Sequence, residues 1–312
     1  MRDTSHTRIA LIACANGLGH VKRLIKIVNR LAECIPNAKP TLYCESWQVR
    51  SLEGWGEYRR FCTRLNAQIV PVSIPIRWAS NPDYYSGWLI EWHKSISAWE
   101  LPQFDYILSD NLIEPLLYSN RVVLIGSFLW HDVLHIAFPN KYEVQQYKQW
   151  AEEILRLTQP DMIVNQFFAM PAAELQANAF KVGIISFCKI NQSERRRLAP
   201  ENVLIALGNT MEANKCLKWV ITVTPALNEA GVRVFCPSRW YGILSQHCTK
   251  AEIYDFDSPE FDKVDLAIIR AGLGTISDCI ATKVPMLYVE EQNPEIKFNQ
   301  QRLSQFGIGA PF

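Results

Sequence analysis

No C-x-x-C pair occurs among the nine cysteines (Cys14, Cys34, Cys44, Cys62, Cys188, Cys216, Cys236, Cys248 and Cys279), so neither a zinc ribbon nor a thioredoxin-like site is signalled. Several lie inside apolar runs, such as Ala13-Cys14-Ala15 and Val234-Phe235-Cys236, where small buried hydrophobes in a reducing compartment are expected. Also missing is any apolar stretch near the roughly 20 residues of a membrane helix. The polar segment Met1 to Arg8 carries no secretory signal. Neither sign of charge is in excess: 32 Lys and Arg against 31 Asp and Glu leave a net charge of +1, so bulk charge gives no basis for nucleic-acid binding. No repeat of solenoid period and no low-complexity tract interrupts the chain. The expectation is a cytoplasmic protein with no nucleic-acid partner and at most a peripheral contact with the inner face of the membrane.

What is present is ordinary globular material: 312 residues, 48% hydrophobic and 20% charged, enough for two domains with sizeable cores. Short apolar runs alternate with segments of helical period. Ile9 to Ala15 reads as a buried strand and His20 to Glu33 as the helix after it. Further strands are expected at 41–44, 68–72, 106–108, 122–125 and 162–164, with helices over 85–100 and 142–157. The polar segment Lys189 to Pro200 reads as a linker. A second alternation follows, with strands at 203–207, 233–235, 252–254, 266–269 and 286–289 and helices at 212–230, 275–281 and 295–306. The predicted fold class is α/β: two doubly wound Rossmann-like domains, residues 1–188 and 201–312, facing a central cleft.

In such sheets ligands bind at the carboxyl ends of the strands, where the strand order reverses. Three loops there carry glycine. Asn16-Gly17-Leu18-Gly19-His20 joins the first strand to its helix, where Gly17 and Gly19 permit a tight turn and the helix N-terminus offers N–H groups to an anion. Lys22 fills the third glycine position of a G-x-G-x-x-G fingerprint, and only Glu45 ends the second strand with an acid, so a dinucleotide site is disfavoured. Gly208-Asn209-Thr210 and Arg270-Ala271-Gly272-Leu273-Gly274-Thr275 place small or hydroxyl residues beside helix N-termini in one domain, suited to a diphosphate. A P-loop is absent.

The segment Val264 to Asp278, continued through Val284-Pro285-Met286 to Glu291-Gln292 and Asn299, resembles the donor-binding motif of inverting GT-B glycosyltransferases. It looks most like the lipid-linked N-acetylglucosaminyltransferase of peptidoglycan synthesis and related nucleotide-diphosphate-sugar transferases. Gly17-Leu18-Gly19-His20 resembles the glycine-histidine loop of the same families. The resemblance implies that Gly272, Leu273, Gly274 and Thr275 lie against the donor diphosphate, with Gly208, Asn209 and Thr210 nearby. It implies that Asp278, a position usually held by glutamate, meets ribose hydroxyls and that Glu291 and Gln292 meet sugar hydroxyls. Ser238-Arg239-Trp240 falls where the base pocket commonly lies. The expected activity is transfer from a UDP-sugar substrate to the hydroxyl of a glycan, lipid or small-molecule acceptor, with no cofactor or metal required.

For that reaction the acceptor hydroxyl must lose a proton, a task suited to imidazole, which titrates near neutrality. His20 is the candidate base. Similar transferases orient it with an aspartate after a later strand, and Tyr106-Ile107-Leu108-Ser109-Asp110 puts Asp110 at such a strand end. The competing role for Asp110 is a cap on a helix beginning near Leu112.

Other features have plainer readings. Asp255-Phe256-Asp257 spells D-x-D, a tripeptide that arises easily by chance. His131 and His135 with Asp132 are spaced for one helix face, without the glutamate of a zincin, and fit a cleft lining better than a metal site. Trp88, Trp92 and Trp99, with Trp78 beside them, have near-helical spacing and read as core. Lys22, Lys26 and Arg30, with Arg23 nearby, form a stripe that suits an anionic membrane or acidic acceptor, or is simply solvated, as Arg195-Arg196-Arg197 is. Two other functions remain open: a nucleotide-sugar hydrolase or epimerase of the same fold, and a non-catalytic subunit that works with a partner. The end of the chain at Phe312 is earlier than in similar enzymes and keeps the second alive.

Overall fold

The computed structural model describes residues 6–35, 37–76, 89, 92–186, 188, 199–208, 213–254 and 259–312. Trp78, Trp88, most of the expected linker with Arg195 to Arg197, Asn209, Thr210 and Asp255 to Asp257 lie outside the described residues. The chain divides into two compact units, Met1–Gly183 with Asn293–Glu295, and Ile184–Gln292 with Ile296–Phe312.

Unit 1 runs β1 (Thr7–Ile12), α1 (Leu18–Leu31), β2 (Ala38–Cys44), α2 (Ser46–Leu52), α3 (Gly56–Arg64), β3 (Gln68–Pro71), α4 (His93–Ile96), β4 (Tyr106–Asp110), β5 (Val122–Gly126), α5 (Trp130–Ala137), α6 (Tyr142–Thr158), β6 (Asp161–Asn165), α7 (Pro171–Leu175) and β7 (Asn178–Val182). Its seven strands form one sheet in the order β3-β2-β1-β4-β5-β6-β7, and every pair is parallel. The central strand shows why. Ile9, Ala10, Leu11 and Ile12 are all buried, as expected of a strand covered on both faces. In register, Leu11 lies between Leu42 and Leu108. On α1 the buried residues Val21, Leu24, Ile25 and Val28 recur at i, i+3, i+4 and i+7, a single apolar stripe. Each such fully buried aliphatic side chain contributes about 1.5–3 kcal/mol.

Unit 2 runs β8 (Asn202–Ala206), α8 (Ala213–Glu229), β9 (Arg233–Cys236), α9 (Ser238–Leu244), β10 (Ala251–Ile253), β11 (Leu266–Ile269), α10 (Leu273–Thr282), β12 (Met286–Tyr288), α11 (Pro294–Gln305) and β13 (Gly309–Pro311). These six strands are again all parallel, in the order β10-β9-β8-β11-β12-β13. Val203, Ile205, Val234 and Ile268 pack with Leu217, Val220 and Trp240 in one core. Among the described residues no helix is long and apolar enough to cross a membrane.

Three expectations change in detail. The first strand stops at Ile12 rather than Ala15: Ala13 still donates to Tyr43 O at 3.0 Å, after which the chain leaves the sheet. The described part of the helix expected over 85–100 is only α4 and a 3-10 turn, Ser97–Trp99, ended by Glu100 in the left-handed conformation with φ 49°. The helix expected near Leu112 is a single 3-10 turn, Glu114–Leu117, with Ile113 rather than Asp110 at its N-cap.

In both sheets the connections reverse direction at one place, between β1 and β4 in unit 1 and between β8 and β11 in unit 2. That is where loops diverge to leave a binding crevice at the strands' carboxyl ends. Next to the first of these points, Gly126 closes β5 with φ 156°, and a Cβ there would lie 1.5 Å from Asn111 Oδ1. The Asn111 side chain is buried and its backbone N–H donates to Ile125 O at 2.9 Å, so the side chain has little room to withdraw. Gly126→Ala is expected to lower the unfolding free energy by about 2–4 kcal/mol, measured by urea unfolding. An unchanged midpoint would show that the Asn111 amide can rotate aside.

Candidate active site

At the reversal point of unit 1, β1 delivers the chain into the loop that begins α1. Gly17 caps α1 with φ 128° and no side-chain hydrogen bond, so the first N–H groups of the helix are left without a side-chain cap. A residue with a Cβ rarely adopts that φ. The loop is held from below by Gln48, fully buried on α2, whose Nε2 donates to Cys14 O at 2.9 Å and Gly17 O at 2.8 Å. Gln48 is itself oriented because its Oε1 accepts from Glu45 N at 3.0 Å. Gly19 is exposed in the first turn and meets nothing.

His20, one residue further, turns its ring toward the end of β4. Its Nδ1 lies 2.7 Å from Asp110 Oδ1. Arg23, one turn along α1, grips the same carboxylate: Nε donates to Oδ2 at 2.9 Å, and Nη2 lies 2.7 Å from both oxygens. The side chain of Asp110 is wholly buried, while those of His20 and Arg23 keep 12% and 15% of their surface. Burial by itself would raise the Asp110 pKa; the Arg23 charge and then His20 outweigh it, and the carboxyl is held below its ordinary range. An ionised carboxylate only accepts hydrogen bonds, so Nδ1 of His20 is the donor, and in the neutral ring Nε2 carries the lone pair. Phe128 presents its ring edge-on to the imidazole at 6.3 Å. Asp110 therefore does not act as a helix cap. Its partners lie 90 and 87 residues away in sequence.

The reversal point of unit 2 is built alike. Gly208 follows β8, and the Arg270 side chain passes it, its Cδ 3.7 Å from where a Cβ would stand. Ala271 adopts φ 51°, unusual for alanine, and its carbonyl accepts from Asn299 Nδ2 at 3.0 Å. Gly272 then caps α10 without a side-chain bond, and Leu273, Gly274 and Thr275 form a half-buried first turn. An uncapped N-terminus of this kind presents N–H groups and positive dipole to an anion. Arg270 is fixed by Glu291: Nη2 donates to Oε1 at 2.8 Å and Nε to Oε2, with only 11% and 3% of the two side chains exposed. Both Glu291 oxygens are thus engaged by the guanidinium. Gln292 is exposed, and Asp278 Oδ1 accepts from Ser186 Oγ at 2.7 Å.

The structure thus brings together Gly17, His20 and Asp110 in unit 1, and Gly208 with the loop from Arg270 to Thr275 in unit 2. Gln48 and Ser186, to which the sequence gave no part in a site, hold these groups in place together with Arg23, read only beside a basic stripe, and Arg270, read only as the start of the glycine loop. A usable signal existed for Arg23, which stands three residues after His20 and so on the same helix face. The basic stripe dissolves into local pairs: Lys22 lies 4.7 Å over the Trp55 ring, Arg23 is on Asp110, and Arg30 pairs with Glu33. Trp92 is buried and Trp99 stacks on Tyr43 at 4.9 Å, so both pack. His131 Nε2 is bonded to Gln176 Oε1 at 2.8 Å.

No family model and no curated protein matches the sequence. Solved structures do. The chain is 15% identical to the glycotransferase of kitacinnamycin over 98% of its own length and 86% of that chain, with a TM-score of 0.62. It is 15% identical to the calicheamicin glycosyltransferase CalG4, covering 100% and 86%, with a TM-score of 0.63. With Medicago truncatula UGT71G1, solved with UDP-glucose, the values are 12%, 100%, 86% and 0.59. At these identities the likeness is one of architecture, and with two parallel Rossmann-like sheets of seven and six strands the chain has the GT-B fold of those glycosyltransferases.

Proposed function

We propose that the protein is a glycosyltransferase that moves a sugar from a nucleoside-diphosphate donor, UDP in the first place, to an acceptor hydroxyl with inversion. The observation that carries this reading is the His20–Asp110 pair at 2.7 Å, at the strand-order reversal of unit 1. In this reading His20 Nε2 takes the acceptor proton as the oxygen attacks the anomeric carbon. The bond from that carbon to the diphosphate oxygen breaks, and the diphosphate leaves with the electron pair. Asp110 holds the tautomer and stabilises the imidazolium that forms. The N–H groups of α10, Gly208, Asn209 and Thr210 receive the diphosphate charge, so no metal or other cofactor is called for. Asp278 takes the ribose, and Glu291 with Gln292 the sugar. Structures of the same fold were solved with UDP-glucose, dTDP and UDP, which supports a nucleotide donor here. The acceptor belongs to the hydroxyl-bearing glycans, lipids or small molecules.

Calorimetric titration with UDP, UDP-N-acetylglucosamine, UDP-glucose, dTDP, GDP and CMP tests the donor half. Binding of a uridine diphosphate weakened about tenfold in Asp278→Ala, a loss of about 1.4 kcal/mol, and unchanged in His20→Ala is the expected outcome. Once an acceptor is found, His20→Ala should lower kcat/KM by about 10²–10⁴. Release of UDP into water alone would instead mark a hydrolase. A folded chain that binds no nucleotide would overturn the reading.

A further inference from the structure

We infer that Arg23 is a positioning residue for His20: its guanidinium fixes the shared Asp110 carboxylate and, through it, the ring orientation in which Nδ1 is the donor and Nε2 faces away from the carboxylate. The inference rests on the reading of His20 as a base. Its geometry stands independently. Asp110 Oδ1 serves both His20 Nδ1 and Arg23 Nη2 at 2.7 Å, while Oδ2 serves only Arg23. A planar guanidinium that donates through Nε and Nη2 leaves the carboxylate one orientation. The same Nη2 lies 3.4 Å from His20 Nδ1. With Nδ1–H already given to Asp110, that contact sets donor against donor and leaves the Asp110 oxygen as the ring's acceptor.

Among the described residues, Asp110 of β4 and Arg23 of α1 are the charged groups within hydrogen-bonding range of the ring, and the loop after β5 presents only the edge of Phe128. Burial limits screening, since Asp110 is fully covered and the other two side chains nearly so. The depressed Asp110 pKa fits the same arrangement.

The test is histidine NMR on the full chain with labelled imidazole nitrogens, His20 being assigned by its absence in His20→Gln. In the wild type the expected neutral tautomer is Nδ1–H. In Arg23→Gln the carboxylate loses its fork, and the ratio of the Nδ1–H to the Nε2–H tautomer should fall by about tenfold or more. Arg23→Lys keeps the cation without the fork, so the mixture of tautomers should persist while kcat falls and KM stays. An Nε2–H tautomer in the wild type would overturn the inference even if Arg23→Gln failed to fold. So would an unchanged tautomer ratio in a folded Arg23→Gln. None of the NMR readouts needs a substrate. A chain that shows them but transfers no sugar would sink the transferase reading alone; one that transfers sugar without them would sink this inference alone.

Discussion

Asp110→Ala is expected to lower the unfolding free energy of unit 1 by about 3–5 kcal/mol, more than the loss of either partner's neutral contacts would. The carboxylate is fully buried and receives His20 Nδ1 and both donor nitrogens of Arg23. Truncation leaves the guanidinium of an Arg23 side chain only 15% exposed with no carboxylate to answer it. The charge itself is the source of the cost. If Asp110 is replaced together with Arg23, as Arg23→Met with Asp110→Leu, most of the loss should be recovered, because two apolar groups of similar size need no partners. A double-mutant cycle in urea, with Arg23→Met and Asp110→Leu alone and together, would read this as a coupling of about 2 kcal/mol or more. Should Asp110→Ala leave the midpoint in place, Arg23 must reach water freely, and the shared grip on the carboxylate contributes nothing to the fold.

The same cluster shows how far a sequence carries. The central strands were legible because a parallel strand covered on both faces must be apolar throughout, as Ile9 to Ile12 and Leu266 to Ile269 are. The edge strands were legible only in part: β3 and β10 were expected at 68–72 and 252–254, while β7 and β13 were missed. β7 reads Asn178-Ala179-Phe180-Lys181-Val182 and is largely exposed, and β13 is the tripeptide Gly309-Ala310-Pro311, a strand only because it lies in register with Met286 to Tyr288. The short helix α2 also passed unread. Its signal is local, since Glu45 and Gln48 form a reciprocal cap, and the same Gln48 is spent on two carbonyls of the histidine loop.

Within the site, legibility followed sequence distance. A glycine before a histidine at the start of a helix can be seen in five residues. Whether Asp110 caps a helix or faces His20 cannot, because the deciding contact spans 90 residues and depends on β4 lying beside β1. Glu291 makes the same point in the other direction. Taken alone it is an acid free to meet a sugar; in the fold it is clamped to Arg270, and any sugar contact must be made by lone pairs the guanidinium leaves.

Deeper in unit 1, two buried ionisable groups should pull stability in opposite directions with pH. Burial pushes the Glu114 carboxyl from its ordinary 4.5 up to about 7, in spite of the Tyr147 hydroxyl and Trp92 indole that donate to Oε1 at 2.7 and 3.2 Å. Among the described residues its Oε2 has no hydrogen-bond partner. Between pH 4.5 and 7 the unfolded chain has released this proton and the folded chain has kept it, so stability falls as pH rises and levels off above 7. His131 does the reverse. Burial pushes its imidazole from 6.5 down to about 4, so between those values the unfolded chain holds a proton that the folded chain does not, and stability rises with pH. Each slope is about 1.4 kcal/mol per pH unit at most, and over the shared window the two nearly cancel. Glu114→Gln should expose the hidden slope. Whatever constant offset the amide introduces, the stability of the variant relative to the wild type should grow by about 3 kcal/mol from pH 4.5 to 7 and then stay level. His131→Gln should show the opposite trend, a relative loss as pH rises from 4 to 6.5. Urea unfolding followed through tryptophan fluorescence reads both. A Glu114→Gln offset that is the same at every pH would mean that water reaches Oε2 in the folded state and that Glu114 ionises there as it does in the unfolded chain.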